Sequence, residues 1–196
     1  MEIKRFVAIN EKANIGIFIG HSEKASGAES PTTGLNEWDF NKPVAYALAD
    51  NLIKHHVSTT IYERELHDEF SEMINHERTC KYDLVLSLHL NCYYEKTEGT
   101  EILYWHRSKK GKKLAEFMLP PIMILFGGKE RGIKPLRKST RGSIIVRKTQ
   151  APTIIIEAKF IDNINDEKRL REYQDLYDEA LFMGVISYLR WRSKAL

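Results

Sequence analysis

The sequence is poor in cysteine and has no long hydrophobic run. Two cysteines, Cys80 and Cys92, are too few for a disulfide framework in a chain of 196 residues. We therefore predict reduced, largely buried thiols. No apolar segment reaches the roughly 20 residues that span a bilayer, and the first residues lack the pattern of a signal peptide. These absences predict synthesis in the cytoplasm without a signal peptide or an integral membrane segment.

A strong excess of either charge is also missing, since 30 Lys and Arg stand against 27 Asp and Glu. A net charge of +3 does not by itself indicate a nucleic-acid partner, and we predict none. There is no internal repeat, linker or low-complexity tract. The length suits one domain with a full core, so we predict a single domain over residues 1–196, acting as a monomer.

Short unbroken apolar runs are the main structural signal. The central one is Asp83–Asn91 (DLVLSLHLN), and similar runs occur at Ile15–Ile19 and Thr153–Ile156. Such runs are typical of strands that are buried on both faces. Strands and amphipathic helices alternate along the chain. The predicted fold is therefore α/β, with a mostly parallel central sheet of about six strands flanked by helices on both faces.

Proline and glycine positions predict where the helices and loops lie. Pro43 is tolerated in a first turn, so a helix is expected to begin near Asn41 or Lys42. The Pro120–Pro121 pair is expected to break or restart a later helix. The Gly-rich, strongly basic segment Gly127–Lys148 has few apolar residues and is predicted to be a long loop.

Three apolar strands end in a titratable residue, namely His21, His89 and Glu157, and Glu37 lies at or just before the entrance of the helix after the first. Each alone is more typical of an ordinary structural or solvated side chain. However, parallel strands present their ends along one sheet edge, so together they predict a site. Two histidines, a carboxylate and an open position are what a catalytic zinc site needs, and a further carboxylate can act as the base.

Five segments extend this pattern, and they occur in the same order as in one enzyme family. They are GHSEKASGA (Gly20–Ala28), NEWDFN (Asn36–Asn41), SLHLN (Ser87–Asn91), GTEILYW (Gly99–Trp105) and PTIIIEAKFIDN (Pro152–Asn163). From about residue 15 to 189 the chain resembles the zinc-dependent N-acetylmuramoyl-L-alanine amidases of the amidase-3 family. Each motif alone is weak evidence, but five in order are specific.

The resemblance implies that His21, Glu37 and His89 bind one zinc ion per chain and that Glu157 is the catalytic acid and base. It implies hydrolysis of the amide between N-acetylmuramic acid and L-alanine in peptidoglycan, and hence cell-wall lysis. The protein most resembles an endolysin of a phage or prophage, with an exported cellular enzyme as the alternative. A zinc peptidase or amidohydrolase acting on muropeptides, or a non-catalytic wall-binding module, are the rival functions.

Two further residues are candidates for substrate binding. Asn91 follows His89 by two positions and could contact substrate or cap a turn. Lys159 replaces the glycine of the family's Leu-Gly-Phe segment, and Ser22 replaces a glycine after the first histidine. Lys159 could reach substrate carboxylates, tune the pKa of Glu157, or lie on a solvated loop.

The remaining candidates are a histidine and the basic segment. His106 ends a predicted strand and could approach the cleft. The basic side chains of segment 127–148 could meet stem-peptide carboxylates or phosphates of the wall, or could form a solvated loop.

Overall fold

The computed structural model describes residues 2–6, 13–63, 69–140 and 142–194. They form one seven-stranded sheet between helices. The strands are β1 (Glu2–Phe6), β2 (Ala13–Ile19), β3 (Val57–Glu63), β4 (Leu84–Asn91), β5 (Thr100–Trp105), β6 (Glu130–Leu136) and β7 (Thr153–Phe160). The helices are α1 (Glu37–Lys54), α2 (Glu69–Thr79), α3 (Lys109–Phe126), α4 (Ser143–Lys148), α5 (Ile164–Tyr173) and α6 (Tyr177–Lys194).

The strand order is β1-β3-β2-β4-β7-β5-β6, and the four central strands, β3, β2, β4 and β7, are parallel. At one edge β1 runs antiparallel to β3. At the other, β5 is antiparallel to β7, and β6 is parallel to β5. The predicted α/β class with a mostly parallel sheet is confirmed, with seven strands instead of about six.

The sheet separates two hydrophobic cores. The larger one lies against α1, α3 and α6 and includes Leu86, Leu88 and Ile156, which are fully buried. The smaller one, on the opposite face, packs Met73 of α2 and Ile145 of α4 against the sheet. Strands covered on both faces explain why the central runs are almost continuously apolar.

Helix α1 begins at Glu37, four residues before the predicted start. The side chain of Asn36 caps it by accepting a hydrogen bond from the Asp39 amide at 2.9 Å. Pro43 consequently lies in the second turn, where it deprives the Asp39 carbonyl of its helical donor. Pro43 and Asp39 are both exposed, so water can hydrogen-bond to that carbonyl.

The predicted break at Pro120–Pro121 is wrong, because α3 continues through both residues. Its inner face repeats every four residues and is fully buried, at Leu114, Met118, Ile122 and Phe126. An interior proline costs about 3 kcal/mol, whereas burying each large apolar side chain contributes about 1.5–3 kcal/mol. The buried face therefore outweighs the two prolines.

The predicted loop at Gly127–Lys148 is also wrong, because it contains β6 and α4. Arg141 lies outside the described residues. Strand β6 is the last strand of the sheet, and an edge strand tolerates a proline such as Pro135. Across the described ranges, no helix is both long and apolar enough to cross a membrane.

Candidate metal centre

The first candidate ligand, His21, follows the end of β2 and has a left-handed backbone with φ of 70°. Gly20, which precedes it, lets β2 approach the neighbouring strand closely. A Cβ atom at Gly20 would lie 2.5 Å from Cε1 of His89 and 2.5 Å from the carbonyl oxygen of Leu88. A side chain at residue 20 would therefore push the two histidines apart.

The second candidate ligand, Glu37, is the first residue of α1 and is 4 % exposed. Its Oε1 accepts a hydrogen bond from the Ala28 amide at 3.0 Å, and its Oε2 accepts one from the Leu90 amide at 2.9 Å. The N-terminus of a helix also stabilises a carboxylate through the helix dipole. Glu37 is thus held as an anion, with both oxygens fixed by main chain.

His21 and His89 each approach a different oxygen of Glu37. Nε2 of His21 is 3.2 Å from Glu37 Oε1, and Nδ1 of His89 is 3.4 Å from Glu37 Oε2. Burial raises the pKa of Glu37, but the hydrogen bonds and charges of the two histidines outweigh it and hold that pKa far below its ordinary value.

This donor set fits zinc. One donor atom from each of the three residues lies within 4.8 Å of the others. Donors bound to one tetrahedral zinc ion at 2.0–2.2 Å are about 3.3–3.6 Å apart. The two histidine nitrogens are at a similar distance, 3.2 and 3.4 Å, from different oxygens of the Glu37 carboxylate. The side chains of His21 and His89 remain 28 % and 24 % exposed, so the centre opens to solvent on one side.

Glu157 lies on β7 directly opposite His89 of β4 in the parallel ladder. Its Oε2 is buried and accepts no hydrogen bond from the part of the chain that the structure describes. Burial, together with the carboxylates of Glu37 and Glu101, raises the pKa of Glu157, and the positive charge of His89 lowers it, so that the pKa is about 7. A carboxyl with such a pKa can both accept and return a proton near neutral pH.

Asn91 and Lys159 are placed by internal hydrogen bonds. Asn91 Nδ2 donates to Glu101 Oε1 at 3.1 Å, and its Oδ1 accepts from the Cys92 amide at 2.9 Å, which fits the turn-capping alternative. The Lys159 side chain is 0 % exposed. Its Nζ donates to the Gly127 carbonyl at 2.8 Å and pairs with Asp166 Oδ1 at 3.2 Å. An ammonium so enclosed does not fit the predicted contact with substrate carboxylates.

Cys92 lies near the centre but is exposed, contrary to the expectation of a buried thiol. Partial burial and the nearby Asp162 carboxylate raise its pKa to about 11. The thiol therefore stays protonated at neutral pH and is a poor nucleophile.

An ionic cluster beside the centre was missed by the sequence reasoning. Glu101 is the register partner of Glu157 in the β5–β7 ladder, and its side chain points to the same sheet face. Its Oε2 accepts from Arg131 Nε at 2.5 Å and from Lys134 Nζ at 2.6 Å. The sequence signal for this cluster was limited to Glu101, at position three of GTEILYW. Its two cations, Arg131 and Lys134, come from a segment that was predicted to be a loop.

Comparison with known proteins agrees with this geometry. The family model described as N-acetylmuramoyl-L-alanine amidase matches residues 15–187. The N-acetylmuramoyl-L-alanine amidase LytC of Bacillus subtilis (strain 168) is 27 % identical over 188 residues, which cover 89 % of this chain and 35 % of LytC. A second curated relative, from Bacillus anthracis, is matched over 24 % of its length, so the chain spans about a third or less of these relatives.

Two solved structures are similar to this chain over nearly their whole length. An N-acetylmuramoyl-L-alanine amidase from Clostridium difficile 630 has a TM-score of 0.81 and 25 % identity, covering 93 % of this chain and 98 % of its own. The catalytic domain of the CD27L endolysin, described as targeting Clostridia difficile, has a TM-score of 0.77 and 26 % identity, with coverages of 89 % and 97 %.

Proposed function

Because the chain belongs to the N-acetylmuramoyl-L-alanine amidase family, we propose that it hydrolyses the amide between N-acetylmuramic acid and L-alanine in peptidoglycan. The observation that supports this most directly is the cluster of His21, Glu37 and His89, with Glu157 beside His89 on the neighbouring strand. It combines a three-donor metal site with a free carboxyl of raised pKa.

We assign the metal as zinc, one ion per chain, held by His21, Glu37 and His89. The two nitrogen donors and one carboxylate oxygen match the ligands of catalytic zinc, with a fourth position open. When bound, zinc supplies a Lewis acid beside the scissile carbonyl and stabilises the negative charge that develops on its oxygen.

The protein's own groups supply proton transfer and orientation. Glu157 takes the proton of the attacking water on a carboxyl oxygen and then delivers it to the leaving nitrogen of alanine. The amides of Ala28 and Leu90 keep Glu37 ionised and fixed, which in turn orients both histidines. Glu101 holds Arg131 and Lys134 at the far side of Glu157, where they lie close to anionic groups of a bound stem peptide.

The test is digestion of purified sacculi followed by identification of the new chain ends. Free L-alanine amino groups with intact sugar strands are expected. Cleavage inside the stem peptide would instead support a peptidase, and binding without release of fragments would support a wall-binding module. Glu157→Gln should abolish product, whereas Glu72→Gln, at an exposed position of α2, should match the wild type.

The biological setting that we propose is cell-wall lysis by an endolysin-type, monomeric enzyme. The likeness to the CD27L catalytic domain supports this setting, and an exported cellular amidase is the alternative. Purified protein added to intact cells of a susceptible bacterium should lower their optical density if the endolysin setting is correct. Clearing of sacculi without lysis of intact cells would favour the cellular alternative.

A further inference from the structure

A cavity of about 760 Å³, broadly open to solvent, lies at the C-terminal ends of β5 and β6, away from the metal centre. The residues of its lining that matter here are Trp105, His106, Arg107, Arg137, Lys138 and Arg147. Its volume lies within the range of about 300–1,000 Å³ that is typical of small-molecule sites. The cavity can therefore hold a group larger than a single small ion.

The lining is strongly cationic. It contains Arg107, Arg137, Lys138 and Arg147 and, among the residues that the structure describes, no acidic one. Among residues 2–6, 13–63, 69–140 and 142–194, no carboxylate forms an ion pair with any of these four. Partial desolvation and the positive charges of Arg137 and Arg107 lower the pKa of His106, so its ring stays neutral at neutral pH. Four unneutralised cations around one cavity favour an anion there.

Arg147 shows that a polar partner is missing. Its Nε is buried and donates no hydrogen bond to any residue that the structure describes, although Arg147 lines the cavity. A buried donor without an acceptor costs about 1–3 kcal/mol. A guanidinium that lines the cavity with one of its donors unsatisfied favours an anion beside it.

The cavity is separate from the metal centre. Glu101 is level with Glu157, and Trp105 lies four residues further along β5, at about 3.3 Å per residue or roughly 13 Å away. Strand β5 runs antiparallel to β7, so its C-terminal end lies beside the N-terminal end of β7. His89 and Glu157 lie toward the C-terminal ends of β4 and β7, at the opposite side of the sheet. Helix α4, which contributes Arg147, packs its Ile145 and Val146 on the sheet.

We propose that this cavity binds a phosphate group carried by a sugar or polyol. Arginine guanidinium groups bind phosphate through paired hydrogen bonds, and three arginines with a lysine supply more charge than one carboxylate needs. The rings of Trp105 and His106, with centroids 4.4 Å apart, provide an apolar wall for the attached sugar or polyol. For an enzyme that acts on the cell wall, such a site would hold the protein on phosphate-bearing wall polymer during turnover.

The test is calorimetric titration of the full chain with inorganic phosphate, with glycerol 1-phosphate and with a glycerol phosphate polymer. Saturable binding that is weakened at least tenfold in Arg147→Gln and in Arg137→Gln is expected, a loss of about 1.4 kcal/mol. Arg190→Gln, on the exposed surface of α6, is the matched control and should bind as the wild type does. Arg137 is exposed, so its variant tests the site even if Arg147→Gln folds poorly.

The outcomes separate the ligands and the two sites. Tighter binding of the polymer than of glycerol 1-phosphate supports a wall-polymer source, whereas equal binding supports a free phosphorylated metabolite. Equal binding of acetate or polyglutamate would overturn the preference for phosphate, and no saturation at about 10 mM would overturn the site. Glu157→Gln should bind phosphate with unchanged affinity, so phosphate binding and amidase activity are tested independently.

Discussion

Glu157 and Glu101 are register partners on adjacent antiparallel strands, so two carboxyl groups lie side by side on one sheet face. They occupy opposite electrostatic environments. Glu101 has an ion pair with Arg131 and another with Lys134, and, although burial acts to raise its pKa, those cations bring it below the ordinary value. Glu157 has a buried oxygen without a hydrogen-bond partner among the described residues, and its pKa is raised to about 7. The geometry thus keeps one carboxylate ionised and leaves the other able to exchange a proton.

The first prediction concerns pH. Glu157 must be deprotonated to accept a proton, and its pKa is raised, so kcat/KM should fall as pH decreases through about 7. Glu101→Gln removes a negative charge that raises the pKa of Glu157 and leaves two cations nearby. The acidic limb of the kcat/KM profile of Glu101→Gln, measured against pH with a soluble muropeptide as substrate, should therefore move to lower pH. An unchanged limb would show that Glu157 is not the titrating base.

The second prediction concerns metal binding. His21→Ala and His89→Ala should each lose most bound zinc, because a ligand is removed from a three-residue set. Glu157→Gln should retain about one zinc per chain but lose nearly all turnover. Elemental analysis of the purified proteins measures the zinc content per chain. His55→Ala, at the exposed end of α1, is the control, and equal zinc in all variants would contradict the assigned ligands.

The third prediction concerns Gly27, which has φ of +88° and contacts the metal centre. A Cβ atom there would lie 2.7 Å from the His21 ring and 2.8 Å from Glu37 Oε1. Gly34 is a matched control, because its φ is +74° and its Cβ would meet only Glu29 Oε1, at 3.8 Å. Both alanine variants should lose about 1–2 kcal/mol of stability from backbone strain. Only Gly27→Ala should also lose zinc affinity, measured by competition with a chelator.

The fourth prediction separates a structural from a substrate-binding role of Lys159. Lys159→Met leaves the Asp166 carboxylate buried without its cation, although the Gly99 and Phe160 amides still donate to it. Loss of one member of a buried pair costs about 3–5 kcal/mol, which denaturant unfolding would measure. Lys168→Met, at an exposed position of α5, should have little effect. If Lys159→Met has a normal free energy of unfolding but a raised KM, Lys159 instead binds substrate.

The sequence alone determined the parts of the fold that depend on local pattern. Continuous apolar runs predicted β2, β4 and β7. Of the titratable candidates, His21 follows β2, and His89 and Glu157 lie within β4 and β7. These predictions succeeded because strands buried on both faces need apolar side chains at most positions. The parallel arrangement of those strands then brings their ends to one edge.

Only the tertiary structure decided which residues outside those strands meet. The direction of β5 placed His106 and Trp105 at the edge away from the metal centre. Segment 127–148 has weak local strand and helix signals, and its strand forms because β5 offers an open edge with which to pair. Pairing of this kind joins residues distant in sequence, so its free energy is absent from any local pattern.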